Sequence, residues 1–151
     1  MRMREVLVAS LVWSAAWAAD HSAFRVSYAG GTVPGLEARS DARLDLTKPE
    51  SLSFVSKQTS IQVPYRKINT IEYGQSVSRR YAEAILISPF LLLAKSRKHF
   101  VTVGYVDRED RQQALVVRVG KSEIRSLLAS LEARSGRRVE YTDDEARKSG
   151  R

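Results

Sequence analysis

The stretch His99–Arg134, HFVTVGYVDREDRQQALVVRVGKSEIRSLLASLEAR, decides the fold. Val101, Val103 and Tyr105 alternate with Phe100, Thr102 and Gly104, the two-residue period of a strand. Asp107–Gln112 is a charged loop of hairpin length. Beyond it Leu115, Val117 and Val119 form the partner strand, with Ala114, Val116 and Arg118 on its other face. The period then changes. Ile124, Leu127, Leu128 and Leu131 are spaced i, i+3, i+4, i+7, one apolar helical face. Ser122 is placed to cap this helix, and Glu123 to favour its first turn. Arg134 suits the last turn and Gly136 a left-handed position just past the end.

Upstream, the pattern is a series of short strands. His21–Tyr28 alternates weakly and reads as a first strand or a lead-in. Gly30-Gly31 and Pro34-Gly35 read as turns. Ala42, Leu44 and Leu46 alternate with Arg43 and Asp45, and Leu52 and Phe54 with Ser51, Ser53 and Val55. Ile61 and Val63 start a strand that stops near Pro64, because proline cannot donate to a ladder. Ile68, Ile71 and Tyr73 continue to Gly74. The expected class is therefore mainly β: a small antiparallel β barrel or sandwich of six or seven strands, capped by one C-terminal amphipathic helix. The single domain spans 19–136. Residues 137–151 form a charged tail, for which a loose helix through Asp143–Lys148 and disorder are both open.

This order of elements resembles the pleckstrin-homology-like superfold, including its GRAM-type relatives. The residues that carry the resemblance are Ala42–Leu46, Leu52–Phe54, Ile61–Tyr65 with Ile68 and Ile71, His99–Val106, Ala114–Val119 and Ser122–Arg134. The match lies in order and spacing, and it implies a β barrel closed by a helix and a capacity to bind lipid. The C-terminal half is also similar to a group of uncharacterised bacterial exported proteins. That likeness rests on Arg97–Phe100, Val103–Tyr105, Leu131–Tyr141 and Asp144–Lys148, and it implies fold and compartment without a mechanism.

Residues 1–18 read as a signal peptide. Arg2 and Arg4 precede an apolar run from Val6 to Trp13, and Ala16-Trp17-Ala18 offers small residues for cleavage before Ala19. The apolar run is short against the roughly 20 residues of a spanning helix. With no cysteine there is neither a disulfide nor a lipid-modified cysteine. The expected location is exported, in a bacterial periplasm. The formal net charge is +8, which in that compartment favours anionic membrane surfaces, cell-wall polymers or acidic proteins. Nucleic acid is not an expected partner, since basic residues are not interleaved with aromatics.

The best candidate for function is the segment from Arg79 to His99. Its core, Ala84–Ala94, reads AILISPFLLLA and carries no charge. Arg79 and Arg80 flank it upstream; Lys95, Arg97 and Lys98 flank it downstream. Ile85, Leu86, Ile87, Phe90, Leu91 and Leu92 would enter an acyl boundary or a partner groove while the five cations meet anionic headgroups. A run of this length is equally a buried core element, and both readings stand. Catalysis has no signature here. No serine lies in a G-x-S-x-G elbow, and His21 and His99 have no companions at metal-ligand spacing. Asp143-Asp144-Glu145 reads as a solvated acidic run paired with Arg137, Arg138 and Arg147. The expected function is a non-enzymatic binding or scaffolding module, without metal or cofactor, contacting a membrane surface or a membrane-bound protein. The alternative is a periplasmic small-ligand carrier barrel. A hydrolase or metal enzyme would require His99 to meet the Asp143–Glu145 run.

Overall fold

The computed structural model describes residues 22–75 and 98–150. The chain is mainly β with C-terminal helices. Its strands are β1 (Ala23–Gly31), β2 (Asp41–Asp45), β3 (Ser51–Ser56), β4 (Ser60–Pro64), β5 (Ile68–Gly74), β6 (His99–Val106), β7 (Gln112–Val119) and β8 (Val139–Tyr141). A 3-10 turn at Tyr65–Lys67 joins β4 to β5. The helices are α1 (Ile124–Ser135) and α2 (Asp144–Gly150).

Among the described residues, all eight strands form one sheet in the order β4-β3-β2-β1-β7-β6-β5-β8. Neighbours are antiparallel except β5 and β8, which run parallel with Ile71 opposite Val139 and Tyr73 opposite Tyr141. The expected six or seven antiparallel strands thus become eight in a mixed sheet. The added strand is three residues long, too short for alternation to register among the charges around it. The charged stretch after Gly136 is built into the fold, as β8 and then α2, where the sequence leaves only a helix or disorder open. Two C-terminal helices therefore stand where one is expected.

The hairpins close for local reasons. Between β3 and β4, Ser56 Oγ accepts the Gln58 and Thr59 N–H groups. After β2, Asp45 Oδ1 accepts the Thr47 N–H at 2.8 Å. Between β6 and β7, Asp107 Oδ1 accepts the Glu109 and Arg111 N–H groups, both at 2.9 Å. Each oxygen gives the turn's own backbone a partner, so the loops need no outside support.

One turn reading fails. Gly30 and Gly31 lie inside β1, opposite Val116 and Leu115, after a register shift at Tyr28/Gly30. Gly31 has φ +147°, and a Cβ there would run into the Ala114 carbonyl oxygen. The pair marks a close approach of two strands. The reversal comes later, at Pro34-Gly35.

One face of the sheet and the α1 stripe share a single core. Leu44, Leu52, Phe54, Ile71, Tyr73, Val101, Val103, Leu115 and Val117 meet Ile124, Leu127, Leu128 and Leu131 in it. Each large side chain buried this way contributes about 1.5–3 kcal/mol. Val63 of edge strand β4 and Val139 of the other edge belong to the same core. The opposite face of β5–β7 is buried as well, at Glu72, Phe100, Thr102, Ala114 and Val116.

The start of α1 differs from expectation. Glu123, not Ser122, holds the N-cap position, and no side-chain cap is made. Glu123 N–H bonds to Gly120 O at 3.0 Å, so a turn over Gly120–Glu123 leads directly into the helix. Its end is as expected. Gly136 is left-handed, φ 69°, and its N–H reaches Glu132 O at 2.9 Å. Gly136→Ala meets open space, so it should cost about 1 kcal/mol from backbone conformation alone. A urea midpoint lowered by that amount with an unchanged slope is the expected result.

Candidate functional site

Of the residues singled out for membrane or partner contact, Arg79, Arg80, Ile85, Leu86, Ile87, Phe90, Leu91, Leu92, Lys95 and Arg97 lie outside the described residues, as does His21. Lys98 is described and half-buried, next to the start of β6. Gly74 pairs with Phe100. The chain therefore leaves and re-enters the sheet on two adjacent strands.

The place where it leaves is tied down. Gln75 N–H donates to Asp143 Oδ2 at 2.9 Å, and Gln75 Nε2 donates to Glu145 Oε2 at 2.7 Å. Asp143 Oδ1 accepts the Ala146 N–H at 2.6 Å and starts α2. Asp144 and Glu145 are exposed, as expected of the acidic run, but its expected pairing with Arg137, Arg138 and Arg147 is not formed among the described residues. Asp143 serves as a cap and an anchor for the end of β5.

His99 is structural in its surroundings. Its Nδ1 lies 2.6 Å from Tyr73 Oη, and the two rings stack at 5.9 Å. Tyr73 also meets Tyr141 edge-on at 6.1 Å. β5 stands between β6, which carries His99, and β8, which leads into Asp143. Among the described residues no group of three or more metal-ligating side chains converges, and no helix is long and apolar enough to cross a membrane.

What the register does bring together on one face is three arginines, two directly opposed and the third on the diagonal. Arg25 on β1 lies directly opposite Arg43 on β2. Ser27, on the same face as Arg25, lies opposite Arg118 on β7. Arg118 in turn lies opposite Phe100, beside the point where the chain re-enters the sheet. Directly opposed residues share a face, as do residues two apart on one strand. Arg25, Arg43 and Arg118 are all exposed, and none makes an ion pair or hydrogen bond among the described residues. Val55, opposite Arg43 on β3, adds an apolar side chain that is 42% exposed. Asp41 and Asp45 share this face. Hydrogen bonds from the Thr47 hydroxyl and N–H engage Asp45 and hold its carboxyl below the usual range, with the charges of Arg43 and Lys48 adding. Two like charges directly opposed cost a few tenths of a kcal/mol or more, and the fold carries that cost on an open face.

Two clefts lie elsewhere, both open at the surface. One, of about 460 Å³, sits at the β6–β7 loop between Val33, Pro34, Ile61, Tyr105 and Arg111. Burial tends to keep its Asp107 neutral. Hydrogen bonds from the Arg111 N–H and guanidinium, from Gln113 and from the Glu109 N–H outweigh it and lower the pKa. Behind this cleft the Tyr28 hydroxyl is pushed up to about 12, first by burial and then by nearby Tyr105, against the Val33 N–H. Its ordinary value is 10.0. Stability from this group is complete below about pH 10 and is lost as pH rises toward 12. Tyr28→Phe should therefore flatten the fall in urea midpoint between pH 8 and pH 11. Equal losses in both proteins would contradict the assignment. The other cleft, of about 820 Å³, lies at the C-terminal end of α1 beside β8 and α2.

No family model matches the chain, and no curated protein matches it.

Proposed function

We propose that the chain is an exported, non-enzymatic module that docks on an anionic membrane surface. The observation that carries this reading is the exposed group of Arg25, Arg43 and Arg118 on one sheet face, which makes no ion pair among the described residues and reaches the strand beside the root of residues 76–97. The sequence of that segment supplies the complement. Arg79, Arg80, Lys95, Arg97 and Lys98 bracket the uncharged run Ala84–Ala94. Cations collect the protein at a charged interface, and an apolar run then holds it there. Without Arg2, Arg4 and Glu5 of the expected signal peptide the net charge is still +7, and it acts in the same direction. A single sheet that shares its core with the aliphatic stripe of a C-terminal helix supports the pleckstrin-homology-like reading, with β8 and α2 as additions.

Co-sedimentation tests the proposal. The purified protein should pellet with vesicles of phosphatidylglycerol and stay in solution with vesicles of phosphatidylcholine. It should return to solution as salt shortens the Debye length from about 10 Å at 0.1 M to about 3 Å at 1 M. Failure to pellet with either lipid would contradict membrane docking and point to a membrane-bound protein partner. A small-ligand carrier is the second reading. It is favoured by the 460 Å³ cleft beside Tyr105, and a small molecule that co-purifies with the protein would support it.

A further inference from the structure

We propose that the cleft between the C-terminal end of α1, β8 and α2 is a binding site for a phosphate group. Arg137, Arg138 and Arg147 line this opening of about 820 Å³, together with Glu132, Tyr141 and Gly150. Arg137 is fixed there, because its Nε donates to Ile68 O at 3.2 Å. That leaves its two terminal nitrogens without a partner among the described residues. Arg138 and Arg147 are exposed and make no ion pair or hydrogen bond among the described residues.

The acid that lines the cleft is hydrogen-bonded within the fold. Glu132 Oε1 accepts the Val139 N–H at 2.8 Å. Asp143, just before α2, is turned to the Gln75 and Ala146 N–H groups. Three arginines thus line the cleft with one acid, Glu132, whose Oε1 already accepts a hydrogen bond. They come from the α1–β8 link and from α2, so they approach an anion from two sides. Such an arrangement suits a tetrahedral group with three acceptor oxygens better than a planar carboxylate with two.

Tyr141 gives the site a wall. Its ring is braced edge-on against Tyr73 at 6.1 Å, and its hydroxyl makes no hydrogen bond among the described residues. Gly150 lets the end of α2 come close to that ring, since a Cβ at Gly150 would fall 2.7 Å from Tyr141 Cε1. The hydroxyl is free to donate to a phosphate oxygen, and the ring to cover what the phosphate is attached to. This site is separate from Arg25, Arg43 and Arg118 and does not depend on the membrane reading.

Two probes distinguish a free phosphate compound from a lipid headgroup: glycerol 3-phosphate in solution and vesicles containing phosphatidic acid. Glycerol 3-phosphate, titrated at constant ionic strength, should shift the amide resonances of Gly136, Val139 and Tyr141 saturably. Arg138→Gln with Arg147→Gln should weaken that binding at least tenfold and leave the urea midpoint unchanged. The Arg25, Arg43 and Arg118 variants should leave it intact. Binding only to the phosphatidic acid vesicles, with the same loss in the double variant, assigns the site to a headgroup. No saturable effect from either probe, or an effect that the double variant leaves untouched, overturns the proposal.

Discussion

Replacing Arg25, Arg43 and Arg118 together by glutamine is expected to weaken binding to phosphatidylglycerol vesicles by about 100-fold at low salt. Each cation near an anionic surface contributes about 1 kcal/mol, so three give about 3 kcal/mol, which corresponds to that factor. The fold should not suffer. All three side chains are exposed and make no ion pair among the described residues. Removing the opposed pair Arg25/Arg43 relieves a like-charge contact, so the urea midpoint should hold or rise slightly. The difference between variant and parent should shrink as salt is added, because screening removes the contribution of exposed charges first. Unchanged affinity in the triple variant would show that the three arginines play no part in docking.

Gly31→Ala should be the most damaging conservative change in the sheet. The backbone there has φ +147°, a region closed to side chains. The added methyl would also press on the Ala114 carbonyl oxygen. That oxygen accepts the Thr32 N–H at 2.9 Å and the Thr32 hydroxyl at 3.4 Å. Backbone strain of about 1–3 kcal/mol and a weakened hydrogen bond of about 1 kcal/mol together give a loss of about 3 kcal/mol. Thermal denaturation should register this as a fall on the order of 10 °C. Gly35→Ala is the control. Gly35 has φ +75° but nothing within 4 Å of a new Cβ, so only about 1 kcal/mol of backbone cost applies. Equal losses at the two glycines would mean that the close approach to Ala114 is not what requires Gly31.

Most of the sheet was legible because one buried face leaves a period of two. Leu44, Leu52, Phe54, Val101, Val103, Leu115 and Val117 all announce that face, and all enter the core. The stripe Ile124–Leu131 was legible for the matching reason at a helical period. Gly30-Gly31 misled because glycine identity does not separate a chain reversal from a close approach. Only the neighbour strand decides, and Ala114 is far away in sequence. β8 was missed because Val139-Glu140-Tyr141 is too short to show a period and takes its place from a parallel pairing to β5. Ser122 looked like a cap, yet the turn at Gly120–Glu123 satisfies the entry to α1 without it.

The candidate site divides along the same line. The apolar run Ala84–Ala94 with its bracketing cations is a local signal, so the sequence displays it directly. The group of three arginines is not local. Arg25, Arg43 and Arg118 each look like an ordinary polar position on the outer face of a strand. They become one feature only through the registers of β2, β1 and β7. The cleft of Arg137, Arg138 and Arg147 was hidden by a plausible local pairing with Asp143–Glu145, which the anchoring of Gln75 by that run replaces.

The most direct test of membrane docking places a single tryptophan at position 90. The only tryptophans in the sequence are Trp13 and Trp17, both within the expected signal peptide, so Phe90→Trp gives the cleaved protein one emitter inside the apolar run. Its emission should be that of a water-exposed indole in buffer. It should shift to the blue on phosphatidylglycerol vesicles and be quenched when the acyl chains are brominated. Emission already blue in buffer, unmoved by vesicles and insensitive to bromine, would place the run in the protein's own core and contradict the account.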